Sequence, residues 1–220
     1  MAQRIFKFIF NFLFIFLISH IIKGREFKKI FIIPHTHLDA SWLDTFENYK
    51  AYSTDKIHST IIKQLKANEN STFAICEIGF FKSYYDDLNE QSKKDVKKLI
   101  ANGQIEFVNG GLVSNDEAVT YYSDIILQMK IGNDFLLKEF NVIPRVAWNI
   151  DVFGHSNGMQ FLLSEMGFDY TFFTRDTELQ KRKERGEMEW VWYPFYRHFR
   201  NQKAILSHSY FYHYGFNSGL

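Results

Sequence analysis

Ile30-Phe31-Ile32-Ile33-Pro34-His35-Thr36-His37-Leu38-Asp39-Ala40-Ser41-Trp42 decides how this chain folds. The first four residues are apolar and β-branched or aromatic, which predicts a buried strand. Two imidazoles, a carboxylate and an indole then crowd the place where that strand ends. In an open parallel sheet, the carboxyl ends of the strands are where ligands bind. His37 and Asp39 stand two residues apart, so an extended backbone sends both side chains to one side. A nitrogen and an oxygen donor in that arrangement suit a divalent metal such as zinc. The bland reading of the same residues is a polar loop at a strand end.

Outward from this stretch, strand-like and helix-like segments alternate. Ser53 to Lys66 carries Ile57, Ile61, Ile62 and Leu65 on one helical face. Thr72 to Ile75 is a short apolar strand. Gln91 to Ala101 is an exposed helix stopped near Asn102-Gly103. Ile105 to Val108 is a strand, Tyr122 to Phe140 a long amphipathic helix, Val146 to Ile150 a strand, Met159 to Met166 a short helix and Tyr170 to Phe173 a strand. Met188 to Trp192 and Ala204 to Leu206 are further strand candidates, and the charged run Gln180 to Glu189 reads as a solvated surface loop. The alternation predicts an α/β fold, a parallel sheet covered by helices.

Three more strands deliver polar groups at the same end. Val146 to Ile150 leads into Asp151-Val152-Phe153-Gly154-His155-Ser156. Asp151 could complete a metal site with His37 and Asp39, act as a nucleophile, or do both; otherwise it is an N-cap. His155 reads equally as a hydrogen-bonded structural histidine. Asn109-Gly110-Gly111 follows another strand and allows a sharp turn or a close approach. The nearby Asp116 and Glu117 read first as caps of the helix that follows, and second as binders of sugar hydroxyls. Arg175 emerges after Phe173, either in a surface ion pair or holding a carboxylate or substrate oxygen.

With 26 basic and 25 acidic residues among 220, nothing suggests a nucleic-acid partner or a polybasic membrane surface. Arg4 and Lys7 precede an apolar stretch from Phe8 to Ile22, so residues 1–24 read as a signal peptide, cleaved near Gly24, or as an uncleaved anchor. Only the second would put the protein on a membrane. Cys76, the only cysteine, excludes an internal disulfide and reads as a small buried hydrophobe. Asn70-Ser71-Thr72 is a glycosylation sequon that agrees with secretory routing.

From Ile30 to Trp192 the chain resembles the family 38 glycoside hydrolases, the α-mannosidases. The likeness rests on His35-Thr36-His37-Leu38-Asp39-Ala40-Ser41-Trp42, on Asn109-Gly110-Gly111 with Asn115-Asp116-Glu117, on Trp148-Asn149-Ile150-Asp151-Val152-Phe153-Gly154-His155-Ser156 and on Met188-Glu189-Trp190-Val191-Trp192. It implies a seven-stranded, barrel-like N-terminal catalytic domain over 28–220, incomplete at its end. It implies a zinc-dependent, retaining exo-α-mannosidase that removes terminal α-mannose from N-glycans in the secretory pathway, lysosomal, vacuolar or secreted. His37, Asp39 and Asp151 match zinc ligands, Asp151 also matches the nucleophile, Trp42 and Phe153 match sugar-pocket aromatics, and Arg175 matches an arginine beside the nucleophile. The acid/base carboxylate and a further zinc-binding histidine are expected beyond Leu220. Ala40-Ser41 and Leu112 depart from the family pattern and bear on subsite shape. The late cluster His208, His213 and Tyr214 has no motif support. The alternatives are another zinc-dependent carbohydrate hydrolase, such as a deacetylase, and an inactive fragment or mannose-binding module.

Overall fold

A computed structural model describes residues 31–195, 203–211 and 214. The chain divides into two units, Met1–Ile33 and Pro34–Leu220. The signal or anchor over 1–24 lies outside the described residues.

In the second unit, β1 (Phe73–Ile75) pairs in parallel with β2 (Ile105–Phe107). A second sheet runs β3 (Val146–Asn149), β4 (Tyr170–Phe173), β6 (Ile205–Ser209) and β5 (Glu189–Trp192). The first three of these are mutually parallel, and β5 is an antiparallel edge. One side chain joins the two sheets. Asn109 sits in the left-handed region (φ 59°) just past β2, and its amide stands in for a strand peptide. Its Nδ2 donates to the Trp148 carbonyl at 2.8 Å, its Oδ1 accepts from the Trp148 N–H at 2.6 Å, and its own N–H reaches the Val146 carbonyl. The carboxyl ends of β1, β2, β3 and β4 therefore share one rim.

The helices are α1 (Phe46–Tyr49), α2 (Asp55–Ala67), α3 (Ile78–Asp86), α4 (Glu90–Ala101), α5 (Tyr122–Phe140), α6 (Asn157–Glu165) and α7 (Leu179–Arg185), with one π-helical turn, Lys50–Thr54, leading into α2. Ser156 caps α6 by accepting from the Met159 N–H, and Asn89 caps α4 by accepting from Ser92. Ile78, Phe81, Tyr85, Val96, Leu99 and Leu136 form a core with the strand residues Ile75, Ile105 and Phe107.

Several expectations change. The described part of the expected first strand, Phe31–Ile33, is exposed and makes no ladder. Pairing is confined to Pro34 and Thr36, which exchange backbone bonds with Ala74 at 2.9 and 3.0 Å. No closed barrel forms among the described residues, because β5 closes one side of the sheet as an antiparallel edge. The run Gln180 to Glu189 is not wholly a loop. Its first half is α7, which buries no residue, is stopped by Gly186 at φ 70° and is braced by a Gln180–Glu184 bond. Cys76 is buried as expected, and Asn70 is exposed on the turn before β1.

His58 on α2 gives a pH dependence to the fold. It is 1% exposed, donates Nδ1–H to the Thr54 carbonyl at 2.8 Å, leaves Nε2 without a partner and lies against Phe81 and Tyr84. Burial pushes its pKa down from 6.5 to about 4, against the opposing pull of the Thr54 carbonyl. The unfolded chain thus takes up this proton at a higher pH than the folded one. Stability is full above pH 6.5 and falls as pH drops toward 4, by about 2 kcal/mol between pH 7.5 and 5. Urea unfolding of wild type and His58→Gln across that range is expected to show the slope shrinking in the variant. Equal slopes would contradict a neutral buried His58.

Candidate active site

The site is assembled from four strand ends. Thr36 is pinned to β1 through its N–H to the Ala74 carbonyl and through its hydroxyl, which accepts from the Cys76 N–H at 2.9 Å. This fixes the backbone just before His37. Ser41, at φ 60°, then turns the chain so that Trp42 stands 69% exposed at the mouth of a cleft. On the next sheet, the Thr174 hydroxyl donates to the Ile150 carbonyl and ties the end of β4 to the end of β3. The residues that follow them, Asp151 and Arg175, face each other. Arg175 donates both Nε and Nη2 to Asp151 Oδ1.

The other oxygen of Asp151, Oδ2, lies 3.3 Å from His37 Nε2, and Asp39 Oδ1 lies 3.6 Å from the same nitrogen. The structure thus brings His37, Asp39 and Asp151 together. The Phe153 ring sits 4.4 Å below the Arg175 guanidinium, a cation–π contact. These groups and Trp42 line an open cleft of about 830 Å³. All six residues singled out from the sequence share it.

Tyr214 also lines this cleft, and sequence reasoning left it unassigned. Its ring lies 5.0 Å from that of His37, and its hydroxyl is bonded to Asp151. Burial and the Asp151 charge hold its pKa above the usual phenol value, so it stays a donor. Of its two companions, His208 pairs instead with Glu189 across β5 and β6, and His213 lies outside the described residues.

Asp116 and Glu117 do not cap α5, whose N-cap position is Tyr121. They reach across to the Asp151 loop. Asp116 Oδ1 accepts from the Phe153 N–H at 3.1 Å, and Glu117 Oε2 accepts from the Ser156 N–H at 2.7 Å. His155 has the structural role. It donates Nε2–H to the Thr174 carbonyl at 2.7 Å, and burial lowers its pKa.

Glu77, two residues past β1, is 2% exposed. Burial pushes its carboxyl pKa up, against the pull of the Thr36 hydroxyl, the Leu38 amide and the His37 imidazole. Nothing in its local sequence marks it.

The donor set can be tested against zinc. Ligands about 2.1 Å from one zinc ion stand roughly 3–3.5 Å apart. The spacings around His37 Nε2, 3.3 and 3.6 Å, lie at that scale, and one imidazole with two carboxylates is a zinc-type set. Among the described residues no three such side chains already close on one metal position.

Residues 28–218 match the model of the N-terminal domain of glycosyl hydrolases family 38. The chain is 40% identical over 179 residues to the lysosomal α-mannosidase of Bos taurus, covering 76% of this chain and 18% of that protein. It is 35% identical over 183 residues to α-mannosidase 2 of Drosophila melanogaster, covering 82% and 16%. It therefore spans about a fifth or less of the length of these relatives. A solved α-mannosidase of Enterococcus faecalis superposes with a TM-score of 0.64 at 14% identity, over 81% of this chain and 20% of that one, a likeness of fold alone. With the match running through every strand that builds the cleft, the chain belongs to glycosyl hydrolase family 38, as its N-terminal domain.

Proposed function

We propose that this cleft is the nucleophile side of a zinc-dependent, retaining exo-α-mannosidase acting on terminal α-mannose of N-glycans. The observation that carries the reading is the division of labour on Asp151. One oxygen is fixed by Arg175, and the other faces His37 beside Asp39. A carboxylate held by a guanidinium fork keeps a fixed direction of attack.

Asp151 forms the bond to the anomeric carbon as the glycosidic oxygen leaves with a proton, and water then releases the sugar from Asp151. Trp42 and Phe153 offer ring faces to the apolar side of the sugar. Tyr214, a donor to Asp151, holds the carboxylate until the substrate displaces it. Zinc held by His37, Asp39 and Asp151 would supply a Lewis acid and a template for two adjacent sugar hydroxyls. Retaining chemistry needs a second carboxyl about 5–5.5 Å away. Asp116, which also lines the cleft, is engaged by the Phe153 and Ala118 amides and is not assigned that role. The basic and apolar stretch over 1–24 supports routing through the secretory pathway.

Trapping with a fluorinated mannosyl inhibitor followed by peptide mapping tests the reading. The expected label is on Asp151. A label elsewhere, or hydrolysis through a zinc-bound water with no glycosyl adduct, as in a deacetylase, would overturn it.

A further inference from the structure

Glu77 occupies the N-cap position of α3, yet its side chain makes no capping bond there. It is 2% exposed, its Oε2 has no hydrogen-bond partner, and no Lys or Arg forms an ion pair with it among the described residues. A carboxylate buried in that way is costly unless a positive charge compensates it. The surroundings it does have belong to the His37 segment, namely the Thr36 hydroxyl, the Leu38 amide and the His37 imidazole. Neighbours on its other side fix its backbone, since the Ile78 and Gly79 N–H groups donate to the Gly111 and Leu112 carbonyls at 3.0 and 2.9 Å. The carboxyl is thus buried beside the His37 segment on an anchored stretch of backbone.

The charges around it are unbalanced. Asp39 and Asp151 are two acids grouped with a single guanidinium, Arg175, and Glu77 adds a third carboxyl buried beside them. We infer that Glu77 is a positioning residue whose buried carboxyl holds the His37 segment and strengthens the affinity of the His37–Asp39–Asp151 cluster for a divalent cation. This rests on the reading of those three side chains as metal ligands. Carboxylates behind a ligating histidine commonly change metal affinity 10- to 100-fold.

The test is zinc competition against a chromophoric chelator on the purified chain, together with thermal unfolding of the metal-free form, for wild type, Glu77→Gln and Glu77→Asp. Glu77→Gln keeps the shape and removes the carboxyl. It is expected to bind zinc at least about tenfold more weakly, while its metal-free melting temperature stays the same or rises. Glu77→Asp, which keeps the carboxyl, is expected to bind more tightly than Glu77→Gln. Zinc binding by Glu77→Gln within twofold of wild type overturns the inference, as does a loss matched by an equal fall in metal-free stability, the mark of a purely structural role. If Glu77→Gln is not recovered folded, Glu77→Asp decides, and a loss beyond tenfold counts against the carboxyl. A wild type that binds no zinc refutes the metal reading itself, which is a different result.

Discussion

In a full-length version that carries the acid/base carboxylate, Asp151→Ala is expected to abolish hydrolysis of an aryl α-mannoside, lowering kcat by about 10⁴-fold or more. The size follows from the role. A retaining glycosidase without its nucleophile has no covalent intermediate, and the remaining groups offer only binding and general electrostatics. The substitution also removes the anion that Arg175 grips and one of the two carboxylates around His37 Nε2. Stability should change little, because the Arg175 side chain is 34% exposed and can be rehydrated. Asp151→Asn keeps an acceptor for Arg175 and almost the same volume, yet a neutral amide does not attack the anomeric carbon. It should be as inactive as alanine with an unchanged far-UV circular dichroism spectrum. Nitrophenol release within tenfold of wild type from either variant would refute Asp151 as nucleophile.

What the sequence displays is local, and the site mixes local with non-local order. Tyr122–Phe140 and Tyr170–Phe173 match their predicted bounds because each carries its own period and its own stop. α3 went unrecognised because it is only nine residues long and its polar side is short, Lys82 and Asp86 among the apolar Ile78, Phe80, Phe81 and Tyr85, too brief for a helical period to show. α7 was missed for the opposite reason: it buries nothing, so it has no apolar stripe. The Phe31–Ile33 run was read as buried from composition, while ladder pairing depends on what the neighbouring strand offers at that register. His37, Asp39 and Asp151 were legible because strand ends of a parallel sheet share one rim. Asp116 and Glu117 were misassigned because their partners lie 37 and 39 residues downstream. Tyr214 and Glu77 carry no local pattern: the chain after β6 brings Tyr214 against His37, and the pairing of Pro34 and Thr36 with β1 brings the His37 segment over Glu77.

Gly132→Ala should be the most destabilising small substitution in the cleft's scaffold. Gly132 lies in α5, where alanine normally gains about 1 kcal/mol over glycine. Here an added Cβ would overlap the Gly110 carbonyl oxygen and stand 3.0 Å from the Gly111 carbonyl carbon, both backbone atoms. The clash cannot be relieved by a side-chain rotation, so the helix or the loop must move, at a net cost of about 3 kcal/mol or more. For a domain of this size that lowers Tm by roughly 6–12 °C. Gly103→Ala is the control. Its Cβ would meet nothing within 4 Å, so only the left-handed backbone (φ 80°) is penalised, at about 1 kcal/mol. The displaced loop is the one that carries Asn109, whose side chain joins β2 to the Trp148 backbone three residues before Asp151. It also carries the carbonyls that anchor Ile78 and Gly79 next to Glu77. Loss of stability in Gly132→Ala is therefore expected together with weaker zinc binding in the fraction that remains folded. A melting temperature within 2 °C of wild type would mean that α5 does not approach the Gly110-Gly111 turn this closely, and the support for both sides of the cleft would have to be sought elsewhere.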